Sequence, residues 1–340
     1  MSNRNYVVWF MCLLFFLVPQ FSFGDVSCPP PPECPSNCSS WELLDTPQGP
    51  EYYMWDVANC YMGILFDYRW IAVGSDGRIW YFSDDYMGGL TCSTNIEFPN
   101  HAYTITSTPH EYFDRRYVAA GHGGFIYTTE GLDIRIWDEE TSPVTTHLYA
   151  SVYNSDADKF VLVGQAGKVV TESPTGWIQA ANAGAANIWN ITYGNGKYVL
   201  CNVAGWVYTS TDLNSWTKGV QLDCINAKTA VFGDGVYLIG GKTNDRLQVV
   251  YRSTDTINWT QHIMTWNENE DYVYDLVYTG SKFYGVARNK WIIESEDGIT
   301  WTKTLSPAYP TMMMGIAYSC EDGAIIAVGG PKSIHSECTQ

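Results

Sequence analysis

Positive charge is scarce in this sequence, whose 340 residues include 19 Lys and Arg against 36 Asp and Glu, for a net charge of −17. Binding to nucleic acid requires clustered Lys and Arg to neutralise phosphates, so we expect no nucleic-acid partner. Charged residues make up only 16% of the chain, whereas aromatic residues make up 15%. Aromatic side chains pack well on pleated surfaces, and the composition therefore favours β-structure.

Long apolar runs are also rare, and the one present lies at the N-terminus. Arg4 precedes an apolar run from Tyr6 to Val18, which is too short to span a bilayer comfortably. Ser22 and Gly24 follow it, as small residues do at a signal-peptide cleavage site. We therefore predict a signal peptide over residues 1–24 and a secreted, extracellular protein without membrane insertion. An uncleaved membrane anchor is the alternative.

Zinc-binding spacings are lacking, although the chain has ten cysteines. Residues 25–40 form a Pro- and Cys-rich leader in which Cys28, Cys34 and Cys38 have no His partners, so disulfides fit better than zinc. Signal cleavage would leave nine cysteines, and an odd number implies a free thiol or an intermolecular bridge. A disulfide-linked oligomer would account for the odd cysteine. We expect no metal ion and no cofactor.

The sequence after the leader shows no helical periodicity of apolar residues. It shows instead a repeat of short strands. The second strand of each unit is rich in aromatic and apolar residues, and a tight turn and a third strand follow it. The last residues of these second strands, spaced 38 to 47 apart, are Gly74, Gly121, Gly164, Asn202, Gly240, Ala287 and Gly329. Four-stranded units of this period are typical of propeller blades. The sequence therefore predicts an all-β, seven-bladed β-propeller.

The seventh repeat lacks its fourth strand, because the chain reaches Gln340 before the expected Trp-bearing segment. The segment SSWELLD, with Trp41, matches the segments NSWTKG, INWTQH and ITWTKT of other repeats. We therefore predict a propeller over residues 41–340 in which the N-terminal strand completes blade 7 and removes free sheet edges. Cys320 and Cys338 should meet at this seam, and we expect a disulfide between them.

Three turns with the pattern S-x-D-x-x-x-W resemble the Asp-box, or BNR repeat, of sialidase-like propellers. They span Ser210–Trp216, Ser253–Trp259 and Ser295–Trp301, with Asp212, Asp255 and Asp297 at the third position. The flanking pattern, as in YVLCNVAGWVYTSTDLNSWT, is also similar to propellers of photosystem II assembly factors and xyloglucan-type endoglucanases. The resemblance implies a propeller in which the box is structural. Its Ser and Asp would bond the turn backbone, and its Trp would pack between sheets.

Catalytic signatures are missing from the repeats. No G-x-S-x-G nucleophile turn is present, and no Tyr–Glu pair of the sialidase kind can be assigned, although Arg78, Arg246 and Arg288 fall in equivalent turns. Asp56 and Asp275 are the carboxylates placed near the channel, where a glycoside hydrolase would need a facing pair. We therefore predict a non-enzymatic protein. A carbohydrate-active hydrolase, sialidase-like or endoglucanase-like, is the alternative.

One set of residues favours binding, because each precedes the predicted inner strand of its blade and would stand at one mouth of the channel. These are Met62, Tyr103, Tyr149, Trp189, Lys228, Tyr274 and Met314. Aromatic side chains offer a large contact area with a polar edge, which suits a glycan or a protein ligand. The competing interpretation is that they only pack the inner strands. A structural matrix or coat component is a further alternative.

Three N-x-S/T sequons occur, at Asn37, Asn190 and Asn258. Such sequons accept N-glycans on exposed loops of secreted proteins. Asn190 follows Trp189 and should face the channel, so Asn37 and Asn258 are the predicted carriers.

Overall fold

The computed structural model describes residues 37–38, 41–44, 53–60, 68–84, 90–93, 98–109, 115–131, 134–264, 272–287, 291–308, 312–320, 323–330 and 333–339. All of these belong to one compact unit, Cys34–Gln340. The predicted signal peptide and most of the predicted leader lie outside the described residues. Within the described residues, no helix has the length and apolar character needed to cross a membrane.

The described strands form seven antiparallel sheets, one for each blade. Two strands precede the first complete blade, β1 (Asn37–Cys38) and β2 (Glu42–Leu44). Blades 1 to 3 contain β3 (Met54–Asn59), β4 (Tyr68–Gly74), β5 (Ile79–Asp84), β6 (Leu90–Ser93), β7 (Ala102–Ser107), β8 (Arg116–Gly121), β9 (Ile126–Glu130), β10 (Asp138–Glu140), β11 (Leu148–Asn154), β12 (Lys159–Gly164), β13 (Val169–Ser173) and β14 (Gly176–Gln179). Blades 4 to 6 contain β15 (Ile188–Gly194), β16 (Lys197–Asn202), β17 (Trp206–Ser210), β18 (Thr217–Gln221), β19 (Ile225–Gly233), β20 (Val236–Lys242), β21 (Gln248–Ser253), β22 (Thr260–Ile263), β23 (Val273–Tyr278), β24 (Phe283–Ala287), β25 (Trp291–Ser295) and β26 (Thr302–Leu305). Blade 7 contains β27 (Met313–Ser319), β28 (Ala324–Gly329) and β29 (Ser333–Thr339).

Each blade becomes more polar from its second strand outward. The second strands, such as KFVLVG in β12 and AIIAVG in β28, are buried along almost their whole length. A strand covered on both faces reads as a continuous apolar run, because neither face meets water. The outermost strand of blade 4, TKGVQ in β18, is exposed at every residue. This gradient places the hydrophobic core between neighbouring sheets.

The inner strands close into a ring. Each first strand contacts that of the next blade, in the order β3, β7, β11, β15, β19, β23 and β27, and β27 contacts β3 in turn. The interface between blades 7 and 1 is as apolar as the others, with Ile326 and Val328 packed in one cluster with Trp70 and Trp80. The predicted all-β, seven-bladed propeller is therefore confirmed.

The N-terminal segment completes blade 7, as the sequence predicts. β2 pairs with β29 in the register Leu43↔Ile334, and β1 pairs with β29 further along, with Cys38 opposite Cys338. Trp41 packs against the apolar cluster between blades 6 and 7.

The predicted disulfide partner of Cys338 is wrong. Cys338 is bonded to Cys38, its direct neighbour across the strand pair, with a Cα–Cα distance of 4.2 Å. Cys320 is also disulfide-bonded, but to neither of these two. The correction follows from register, because cross-strand positions bring two Cα atoms within the range that a disulfide spans. The covalent link thus joins the two ends of the ring.

Removing the Cys38–Cys338 link should destabilise the propeller, because the bridge closes a loop with a sequence separation of 300 residues. We expect Cys338→Ser to lower the free energy of unfolding by about 3–5 kcal/mol, the upper range for a long loop. Urea unfolding of the oxidised protein measures the loss. Reduced wild type should be destabilised at least as much as the variant, because reduction also breaks the disulfide of Cys320. Peptide mapping that recovered Cys320 linked to Cys338 would contradict the assignment.

Candidate functional site

A bulge near the start of every inner strand builds the candidate site. In blade 2, Ala102 pairs with Gly121 and Thr104 with Ala120, so that Tyr103 is an extra residue on β7. Regular strands point successive side chains to opposite faces, whereas a bulge re-aims one of them. As a result, both Tyr103 and Thr104 line the same central cavity.

The same irregularity recurs in the other six blades. It brings one side chain from each blade to the mouth of the cavity, and we call this set the mouth ring. Its members are Trp55, Tyr103, Tyr149, Trp189, Lys228, Tyr274 and Met314, all of which line the cavity and are half-buried.

Six of these residues are at positions that the sequence assigned to the ring, and the seventh is not. Met62 lies outside the described residues. The sequence placed the inner strand of blade 1 directly after Met62, whereas the strand that pairs with β4 is β3, with Met54 opposite Gly74. Trp55 is therefore the blade 1 member. The sequence did not indicate Trp55 because the apolar segment GILF, which follows Met62, has the composition of an inner strand.

Four aromatic members form an unbroken arc through blades 1 to 4. The ring centroids of Trp55 and Tyr103 are 4.9 Å apart and stacked, those of Tyr103 and Tyr149 are 5.4 Å apart, and those of Tyr149 and Trp189 are 4.2 Å apart. The Nζ atom of Lys228 then lies 3.8 Å from the ring centroid of Trp189. Because none of these side chains is buried, the arc can contact a ligand directly.

The cavity beneath the mouth ring has a volume of about 300 Å³. A space of this size accepts a side chain or a small part of a larger ligand. Its wall combines the aromatic arc with the polar residues that follow the bulges, among them Thr104, Asn190 and Asp275. Asn190 lines the cavity, and its side-chain oxygen accepts a hydrogen bond from the backbone N–H of Ile191 (2.7 Å).

The carboxylates of two half-buried residues, Asp56 and Asp275, lie in the wall of the cavity. The Oδ2 atom of Asp56 accepts hydrogen bonds from the Thr104 hydroxyl (2.9 Å) and the Ile105 N–H (2.9 Å) of blade 2. Asp275 accepts a hydrogen bond from the Thr229 hydroxyl of blade 5 (3.0 Å). It also accepts one from the N–H of Ile316 in blade 7 (3.1 Å). Asp56 therefore links blade 1 to blade 2, and Asp275 links blade 6 to blades 5 and 7.

Burial controls the protonation of these two groups. It raises the pKa of Asp56 to about 6. Burial and the negative charge of Asp56 raise the pKa of Asp275 to about 7. The backbone and hydroxyl donors oppose these shifts without cancelling them, since desolvation of a charged carboxylate outweighs a few hydrogen bonds.

Two histidines, His101 and His147, lie beside the aromatic members of the mouth ring. The Nδ1 atom of His101 accepts a hydrogen bond from the N–H of Asp76 (2.8 Å), and that of His147 accepts one from the N–H of Gly123 (2.9 Å). Both donors lie in the turn between the second and third strands of the preceding blade. These histidines thus join successive blades. Among the described residues, no group of His, Cys, Asp and Glu could hold a metal ion.

The S-x-D-x-x-x-W turns share one hydrogen-bond pattern. In blade 5, the Ser253 hydroxyl accepts a hydrogen bond from the Thr256 N–H (2.8 Å). The Asp255 carboxylate accepts hydrogen bonds from the N–H groups of Ile257 and Asn258, each at 2.8 Å. The corresponding residues of blades 4 and 6 are Ser210, Asp212, Ser295 and Asp297, and they accept equivalent bonds.

The tryptophans of these turns pack against the apolar clusters between neighbouring blades. Trp216 and Trp259 are partly buried, Trp301 is almost fully buried, and none of them lines the cavity. These turns therefore stabilise the blades and lie apart from the mouth ring.

Other predicted positions are dispersed. Asn258 is exposed, although its side-chain amide donates to Asp255 (2.8 Å), and Asn37 begins β1. Arg288 lies outside the described residues, and neither Arg78 nor Arg246 lines the cavity. The structure therefore assembles no arginine trio from the described residues.

Comparisons with known proteins identify the fold. No family model and no curated protein matches the chain. Among solved structures, "YCF48 bound to D1 peptide" superposes with a TM-score of 0.67 and 13% identity over 93% of this chain and all of that one. YCF48 from Cyanidioschyzon merolae has a TM-score of 0.65, 12% identity and coverage of 88% and 99%. The WD40 propeller domain of Doa1 has a TM-score of 0.65, 11% identity and coverage of 88% and 97%. At these identities the likeness shows the propeller fold alone.

The raised pKa values of Asp56 and Asp275 predict that stability falls as pH rises. Their pKa values exceed the ordinary value of 3.8, so the folded state binds more protons between about pH 4 and pH 7, and deprotonation in this window favours unfolding. Each pKa unit corresponds to about 1.4 kcal/mol, so the summed effect is several kcal/mol. We expect urea unfolding to give a higher free energy at pH 5 than at pH 8.

The variant Asp275→Asn should flatten this pH profile by about half. Asp234→Asn, in an exposed turn where φ is 48°, is the matched control and should leave the slope unchanged. The lowered pKa values of Asp212 and Asp297 act only below pH 4. The lowered pKa values of His147 and His262 act in the opposite direction below about pH 6.5, so the comparison of Asp275→Asn with wild type is the decisive readout. A pH profile unchanged in Asp275→Asn would show that Asp275 does not hold its proton as described.

Proposed function

We propose that this protein is a secreted, non-enzymatic binding module that holds a peptide segment of a partner protein across the mouth ring. The observation that carries the proposal is the unbroken arc from Trp55 to Trp189 at the mouth of a cavity. Aromatic residues provide much contact area at little conformational cost, and they dominate the energetics of many interfaces. The YCF48 structure named above, a propeller of the same fold, contains a bound peptide, which favours a peptide over a glycan.

Secretion is part of the proposal and rests on three features. The N-terminal apolar run has the length of a signal peptide. The Cys38–Cys338 disulfide is of a kind that persists in oxidising compartments. The sequon at Asn258 lies in an exposed turn, where a glycan could be attached.

The roles of a hydrolase or a coat component are less well supported. Both carboxylate oxygens of Asp275 accept hydrogen bonds from neighbouring blades. In Asp56, Oδ2 accepts hydrogen bonds from blade 2 and Oδ1 accepts one from the N–H of Val57 in its own strand. These are structural arrangements. Among the described cysteines, the free thiols of Cys60, Cys201 and Cys224 are all buried, which disfavours an intermolecular bridge through them. Glycoside turnover that disappeared in Asp275→Asn would favour the hydrolase instead.

Binding should depend on the aromatic arc. We expect the double variant Tyr149→Ala/Trp189→Ala to weaken binding at least tenfold, because aromatic anchors in interfaces contribute about 2 kcal/mol or more. The measurement is fluorescence polarisation with hits from an array of short synthetic peptides, with neutral and acidic oligosaccharides assayed in parallel.

The control is Trp206→Ala, which removes an aromatic side chain that contacts Lys218 (3.4 Å from Nζ to ring centroid) and does not line the cavity. It should change affinity less than twofold, and circular dichroism should show both variants folded. Hits that survived the double variant would refute the mouth ring as the binding surface. Hits confined to oligosaccharides would identify a glycan-binding protein.

A further inference from the structure

Lys228 is the charged member of the mouth ring, and among the described residues its ammonium group has no hydrogen-bond or ion-pair partner. A lysine ammonium can donate three hydrogen bonds. In the described part of the chain, that of Lys228 donates none and forms no ion pair, and its polar contact is with the face of Trp189 at 3.8 Å. Lys228 nevertheless lines the cavity and is partly buried. A desolvated charge without a partner raises the free energy of the folded protein. An anionic group of a ligand bound at this position would lower it.

The backbone presents Lys228 in a way that differs from the other blades. Ile225 pairs with Lys242 and Thr229 with Gly240, so β19 carries two extra residues, whereas the other inner strands carry one. Asn226 within this wider bulge has a φ of 50°, and its N–H donates to Val203 of blade 4 (3.3 Å). The bulge is therefore held in place, and it directs Lys228 to the cavity mouth.

The acids of the cavity do not neutralise Lys228. Asp275 accepts hydrogen bonds from the hydroxyl of Thr229, the residue next to Lys228, and from backbone N–H groups. Asp56 is held in the same way by blades 1 and 2. Desolvation by burial lowers the pKa of Lys228 to about 8, and no acid of the described residues opposes this shift. A ligand carboxylate at the mouth would supply the missing charge, while Asp56 and Asp275 would repel it from the deeper wall.

We propose that Lys228 binds a carboxylate of the ligand, so that the peptide held by the mouth ring carries an acidic side chain or a free C-terminal carboxylate at this point. The inference rests on the proposed function and specifies the chemistry of its ligand. Trp189 orients the ammonium beside the aromatic arc, and a carboxylate there forms a charge-assisted hydrogen bond, which is stronger than a neutral one. Lys228 is then a specificity-determining residue.

The test uses the full chain and the peptide array, with each hit prepared in three further forms. In one form Asp and Glu are replaced by Asn and Gln, in another the C-terminus is amidated, and in the third both changes are made. We expect removal of one class of carboxylate to weaken binding about ten- to a hundredfold, as for other charge-assisted bonds at desolvated sites. The form that loses affinity identifies the source of the carboxylate.

Lys228→Met should cause the same loss and should bind the charged and neutral forms equally, whereas Lys228→Arg should retain the preference. The matched control is Lys242→Met. Lys242 is in the same blade as Lys228 but does not line the cavity, and its Nζ atom lies 4.1 Å from the ring centroid of Tyr272. It should leave affinity within twofold of wild type. Thermal unfolding of all three variants checks that they fold.

Affinity for the acidic form should also fall as pH rises above about 8, because the free Lys228 then loses the proton that binding requires. Lys228→Arg should abolish this dependence, since arginine stays charged. This readout separates a charge contact from a packing role.

Three results would overturn the inference. Equal binding of charged and neutral peptides would show that no carboxylate is recognised, and unchanged affinity in Lys228→Met would show that Lys228 is not the anchor. Tighter binding in Lys228→Met would indicate a cationic ligand drawn to Asp56 and Asp275. If binding still required Tyr149 and Trp189 in these cases, only the inference would fail. If wild type bound no peptide, the proposed function would fail with it.

Discussion

Antiparallel pairing of the N-terminal segment with β29 is the interaction on which the rest of the structure depends. Seven inner strands contact one another in a ring only if blade 7 packs against blade 1, and blade 7 draws its outermost strand from the start of the chain. Backbone hydrogen bonds at β1 and β2, the Trp41 contact and the Cys38–Cys338 bridge all act at this seam. Closure also covers an edge that would otherwise pair with other chains.

Closure of the ring brings the bulged residues of all seven blades to one cavity. A bulge in a single hairpin would only kink a strand, but seven bulges at equivalent places around a closed ring direct two layers of side chains to one cavity. The outer layer is aromatic over four blades, and the inner layer contains Asp56 and Asp275, whose hydrogen bonds run between blades. The candidate site and the ties that hold neighbouring blades together are therefore built from adjacent residues of the same strands, for example Trp55 beside Asp56 and Tyr274 beside Asp275.

Much of this architecture could be predicted from the repeats. Aromatic–apolar second strands, tight turns and Trp-bearing fourth strands recur because each blade must bury the same two faces, and the missing fourth strand of blade 7 indicated that Trp41 completes the ring. Two predictions failed for a common reason. The sequence places the inner strand of blade 1 after Met62, whereas it is Met54–Asn59, and it pairs Cys338 with Cys320, whereas the partner is Cys38. Each choice depended on which of two nearby segments stands opposite a given strand, and that is a matter of register.

By itself the sequence determined the number of blades, the closure of the ring by the N-terminal strand, the acidic surface and the residue types available at the channel mouth. These properties follow from local patterns repeated along the chain. Only the tertiary structure decided that Trp55 joins the ring, that Cys38 meets Cys338, that Asp56 and Asp275 line the same cavity, and that Lys228 has no acidic partner among the residues that the structure describes. Those facts depend on which strands lie opposite each other and on what water can reach, and no local pattern carries that information.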